Sequence, residues 1–184
     1  MKRSLPTLGL ATAIALIAWP AMAQTSAPSA PSARAATTQK ANKLDQQFLS
    51  KAIQGDLAEV KIGSLAQEKG QSAEVKQFGK MLEQDHSAHL QKAEQTAAEL
   101  GANAPTEPDA KSKATYDKLS TMSAAKFDNE FAKAMVSDHK RSLAAYQLQS
   151  KRKGPLADFA TETLPTLQEH LETAKSLTTA KRSH

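Results

Sequence analysis

The stretch Phe78–Leu90, FGKMLEQDHSAHL, decides how the rest of the chain is read. Turned at about 100° per residue, Val75, Phe78, Leu82, Leu90, Ala93 and Ala97 form one apolar stripe, and His86 falls in its middle. The chain repeats the arrangement 53 residues later as Phe131–Leu143, FAKAMVSDHKRSL. Phe78 aligns with Phe131, Lys80 with Lys133, Asp85 with Asp138, His86 with His139 and Leu90 with Leu143. Five identities in thirteen positions point to an internal duplication of a helical hairpin.

Applied to the rest of the chain, the same helical wheel places three more polar residues on inward stripes. His139 falls among Ala132, Met135, Leu143 and Tyr146, and His170 among Phe159, Thr163, Thr166, Leu167, Ala174 and Leu177. Glu59 shares its stripe with Phe48, Ala52, Gly55, Ile62, Gly63 and Ala66. Each lies near the midpoint of its helix, so Glu59, His86, His139 and His170 are expected at one height in a bundle. Buried charges are costly unless paired or bound to metal, and three imidazoles with one carboxylate suit a single divalent transition metal, Zn, Mn, Fe or Cu. The acids Asp85, Asp138 and Glu169 directly precede the three histidines and are rotated from them by about 100°. They are expected to accept imidazole N–H groups from neighbouring helices, fixing tautomer and orientation. His89 is a spare ligand or an i, i+4 partner of Asp85. The alternative is a metal-free core in which hydrogen bonds among the histidines, Glu59, Thr163, Thr166 and Tyr146 specify helix register.

Outside these stripes the chain divides simply. Residues 1–23 carry a basic start, an apolar run and the small-x-small site Ala21-Met22-Ala23, the pattern of a cleaved export signal. Cleavage leaves about 161 residues, enough for one core, with a periplasmic location and no transmembrane anchor. Residues 24–43, rich in Ala, Ser and Pro, read as a disordered leader, and 181–184, with His184, as a disordered tail. The chain has no cysteine, which excludes disulfides, thiolate metal sites, a cysteine nucleophile and a lipid-modified N-terminus. Without Lys2 and Arg3, 22 basic residues face 19 acidic ones. A net charge that small and scattered argues against nucleic-acid binding. The run Lys151–Lys153 beside Gly154-Pro155 reads as a solvated loop, with anionic envelope lipids as the alternative contact. A homo-oligomer is left open.

The expected domain, residues 44–180, is all-α. It contains helices over 45–69, 72–100, 123–150 and 155–179, with a weak helical patch at Tyr116–Leu119. Gly70 and Gly101 stop the first two, Ser72 caps the second, and Pro155 suits a first turn. Pro165, inside the last helix, removes the bond to the Thr161 carbonyl and is expected to kink the helix, or else to mark a fresh start. Short links make two antiparallel hairpins. The roughly 22 residues between them can run the length of a bundle, since helices of this size span about 40 Å. That permits the up-down-down-up connectivity of ferritin-like bundles.

The segments GDLAEVKIGSLAQEKGQSAEVKQFGKMLEQDHSAHL, FDNEFAKAMVSDHKRSL and LADFATETLPTLQEHLETAKSL, with both Asp-His pairs, the Leu-Pro before the last histidine and the closing LxxHL, resemble the DUF4142 family of exported bacterial proteins. The resemblance covers residues 45–178 and implies a ferritin-like four-helix domain whose activity is undefined. The residues depart from the di-iron pattern of many ferritin-like proteins, which needs two Glu-x-x-His motifs. Glu83-x-x-His86 is present, but Val136 and Leu167 stand three before His139 and His170. A mononuclear, histidine-rich site is therefore expected, in metal handling or envelope stress. A metal-free envelope scaffold or interaction module is the alternative. No nucleophile triad, phosphate loop or close carboxylate pair stands out, so a non-enzymatic role is favoured.

Overall fold

Asn42 opens the first helix, α1 (Lys43–Lys69): its side chain accepts the N–H groups of Leu44 and Asp45, and the Asp45 carboxylate accepts the Asn42 N–H in return. This capping box starts the helix two residues before the expected position. The computed structural model describes residues 40–180; the expected export signal, most of the expected leader, and the expected tail with His184 lie outside them. Four more helices follow: α2 (Ala73–Glu99), α3 (Ala110–Ser120), α4 (Ala124–Ser150) and α5 (Ala157–Ala180). No strand occurs among the described residues, and none of their helices is long and apolar enough to cross a membrane.

Local chemistry sets the other boundaries. The Ser72 hydroxyl caps α2 by accepting the Val75 N–H. The far end of α2 closes in a Schellman motif, with Gly101 at φ 62° and the N–H groups of Gly101 and Ala102 bonded to the carbonyls of Ala98 and Ala97. Only a glycine adopts that backbone freely. Asp109 caps α3 through the Ser112 N–H, so the expected patch of four residues is a helix of eleven. Pro155 stands in a turn and α5 starts two residues later, while Pro165 lies exposed inside α5, which continues unbroken through it. Pro165 has no N–H to give the Thr161 carbonyl, and both residues are exposed. Lys151–Lys153 lie in the turn between α4 and α5.

Three contacts fix the helix directions. Gln149, at the end of α4, bonds Asp45 at the start of α1, so these two helices are antiparallel. Lys92, late in α2, pairs with Glu162, early in α5, so those two are antiparallel as well. Asp128, early in α4, accepts the N–H groups of Gln71 and Ser72 in the turn between α1 and α2. The link that carries α3 must therefore climb the full bundle, and it does so along α1, tied by Lys61 to Glu107 and by Lys69 to the Ser120 carbonyl. The result is the up-down-down-up order with one crossover.

Within α1 and α2 the backbones touch. A Cβ built on Gly63 would lie 2.6 Å from the Gly79 carbonyl oxygen, and one on Gly79 would lie 2.6 Å from the Gly63 oxygen. Backbone atoms cannot rotate away, so this pair sets the spacing of the hairpin. The apolar core falls into two clusters. One is built around Leu49, Ile53, Leu100, Tyr146 and Phe159, and the other around Ile62, Val75, Phe78, Phe127 and Phe131. Between them lies a layer of buried polar groups: Asp56, Glu59, His86, His139 and His170. Gly63→Ala is expected to force the hairpin apart and cost about 1–3 kcal/mol, read as a lower denaturation midpoint with unchanged helix content.

Candidate metal centre

Each imidazole of the central layer is held from outside. The His86 Nδ1–H donates to Asp56 Oδ1 at 2.8 Å, from α2 to α1. The His139 Nδ1–H donates to the Met135 carbonyl at 3.0 Å, one turn back in α4. The His170 Nε2–H donates to Asp85 Oδ2 at 2.9 Å, from α5 to α2. A carbonyl or carboxylate oxygen accepts, so each ring places its N–H there. The nitrogens left over are lone pairs: His86 Nε2, His139 Nε2 and His170 Nδ1.

Those lone pairs face one another. One ring nitrogen from each of His86, His139 and His170 lies within 4.8 Å of the other two. His139 Nε2 and His170 Nδ1 are 3.2 Å apart, and His86 Nε2 is buried with no partner. Two facing lone pairs repel unless a cation lies between them. Burial and the neighbouring charges of His86 and His170 push the His139 pKa down to about 3. Burial also lowers that of His170, with Asp85 offsetting part of the effect. Both rings are therefore neutral at pH 7 and no proton fills the gap. Three imidazoles anchored on their outer nitrogens, with their inner nitrogens converging, are the donor set a divalent transition metal takes.

The remaining expected residues are distributed around this set. Glu59 is 3 % exposed, but its Oε1 lies 3.9 Å from His139 Nδ1, the outer nitrogen, and its Oε2 has no partner. Burial, followed by the charge of Asp138, a side-chain hydrogen bond with it and then the charge of Asp56, raises the Glu59 pKa well above the ordinary carboxyl value. Asp138 pairs with Arg141 on its own helix and touches no imidazole. Glu169 is exposed. Of the three acids preceding histidines, Asp85 alone receives a ring N–H from another helix. His89 bonds Asp56 at 2.7 Å rather than Asp85.

Asp56 is the residue that sequence reasoning missed. It accepts N–H groups from both His86 and His89, and these bonds and charges outweigh the burial that would raise its pKa, leaving it below the ordinary carboxylate value. The signal was present, because Asp56 stands four after Ala52 and three before Glu59 on the same inward stripe. Beyond it, His89 Nε2 is 3.2 Å from Thr163 Oγ1 and accepts from the Tyr146 hydroxyl at 3.4 Å. Burial and the Asp56 charge raise the Tyr146 pKa well above 10, so its phenol keeps that proton. A cleft of about 650 Å³ reaches all three inner rings, and its wall includes Lys51, Gly55, Arg141, Ser142 and Ala145 of α1 and α4 with Lys111 and Ser112 of α3.

Residues 30–177 match the family described as a domain of unknown function (DUF4142). No curated protein and no solved structure matches the chain.

The buried acid and the buried base pull stability in opposite directions with pH. Glu59, whose pKa is raised from 4.5, contributes stability that is full below about pH 4.5 and lost as pH rises through its folded value. His139, lowered from 6.5 to about 3, costs stability as pH falls from 6.5 toward 3. In the metal-free protein Glu59→Gln removes the first effect only. The variant is expected to gain on the wild type as pH rises above about 4.5, by up to about 1.4 kcal/mol per pH unit, measured by denaturant unfolding after chelation.

Proposed function

Since the chain belongs to the DUF4142 family, whose description assigns no activity, we propose that it is a periplasmic metal-handling or envelope-stress protein. It binds one divalent transition metal at mid-bundle through His86 Nε2, His139 Nε2 and His170 Nδ1. The observation that carries this reading is the 3.2 Å approach of two imidazole nitrogens whose protons are committed elsewhere. A divalent cation turns that repulsion into two bonds, and the unpartnered His86 Nε2 supplies a third. Export rests on the N-terminal signal pattern of residues 1–23. Asp56 and Asp85 hold the His86 and His170 rings in the ligating tautomer and raise their basicity.

A metal-free scaffold remains the competing reading, favoured by one observation: apart from Glu59 Oε2, His86 Nε2 and the facing nitrogens of His139 and His170, no fully buried side-chain polar atom of the described residues lacks a partner. Metal analysis separates the two. The protein purified without a histidine tag and reconstituted with Zn²⁺, Mn²⁺, Fe²⁺ or Cu²⁺ is expected to hold close to one ion per chain by mass spectrometry. His86→Ala and His139→Ala should lose it. Asp85→Asn should weaken it by about 10- to 100-fold. The melting temperature should rise with free metal and fall with chelator. Substoichiometric metal together with a melting temperature indifferent to both additions would establish the scaffold instead.

A further inference from the structure

The three imidazoles do not close the coordination sphere. A tetrahedral ion with three protein donors keeps its fourth position for an outside ligand, whereas a purely structural site is closed by a fourth side chain. The side chain best placed to close it is Glu59, yet its nearest ring contact is to the outer nitrogen of His139, which is already donating to Met135. The cleft reaches the three inner rings from the side of α1 and α4, and its volume of about 650 Å³ falls in the range of small-molecule sites.

The charge of the site narrows the class of ligand. Three neutral donors put no negative charge on the ion itself, and the nearest carboxylates, Asp56 and Asp85, stand a ring's width away on the outer nitrogens, so the open position is where an anion can bond the ion directly. The carboxylates of Asp56 and Asp85 accept imidazole protons, and Asp138 is occupied by Arg141. The cleft wall carries both signs, with Lys51 and Lys111 beside Asp109 and with Lys92 paired to Glu162, so the ion itself is what selects an anion. Gly55 sits on the same wall, and a Cβ built there meets nothing within 4 Å. The passage therefore has room at that point, and a larger side chain there enters the passage rather than pressing on the neighbouring backbone.

We propose that the centre is an open site that takes a small monoanion, bound through oxygen or nitrogen, as the fourth ligand of the metal by way of the cleft beside Gly55. This rests on the metal reading above, and the test keeps the two apart. The full chain, as an expressing bacterium processes it, is loaded with Co²⁺, whose visible absorption reports its coordination, and is titrated with azide. A saturable spectral change is expected. Gly55→Leu, or Ala145→Leu on α4, should still bind cobalt with the wild-type stoichiometry but take up azide about tenfold more slowly or worse. Cobalt bound with no response to azide overturns the open site. A rate of azide uptake unchanged in both variants overturns the route through this cleft. Absence of cobalt uptake overturns the metal reading itself, and the open site with it.

Discussion

The direction of three imidazole protons is the constraint from which the centre of this bundle follows. Each ring has two nitrogens, and an acceptor without a proton of its own claims the outer one: Asp56, the Met135 carbonyl or Asp85. A neutral imidazole has one proton to give. Once it is directed outward, the inner nitrogens can only be lone pairs, and three of them converge in a layer too buried to be screened by water. On the metal reading a cation stands at the middle of that layer, and the depressed pKa of His139 makes a proton a poor candidate for it.

The two apolar clusters make such a layer tolerable. Polar groups in a core cost stability unless they are paired, and here they are confined between one cluster around Leu49, Ile53 and Phe159 and another around Phe78, Phe127 and Phe131. The ends of the bundle supply ordinary hydrophobic burial. The middle is therefore free to carry chemistry, with the close approach of Gly63 and Gly79 fixing how far apart the first two helices stand beside it.

Much of this was legible in the sequence. The 3.6-residue period identified the four long helices, because an inward stripe is required by burial and leaves a direct mark on residue type. It also placed His86, His139 and His170 inward, and all three are buried. Helix ends were less legible. The Asn42 capping box depends on a reciprocal bond with Asp45, and α3 is held by surface pairs and a single buried residue, Leu119, which leave little hydrophobic pattern. Within the site, the reading by stripe selected Glu59 and passed over Asp56, although both face inward on α1. Which of two neighbouring acids meets an imidazole depends on rotations of a few tens of degrees and on rotamers, and a helical wheel does not resolve either. The Met135 carbonyl has no side-chain signature at all.

The layer draws on four helices at one height, and this makes the two kinds of chain segment unequal as places for change. A single residue inserted into α2, α4 or α5 ahead of its histidine turns that ring about 100° away from the other two. An insertion in the crossover around α3 only lengthens a strap on the outside of α1. Variation in chain length is therefore expected to accumulate between residues 101 and 123, while the long helices keep their register.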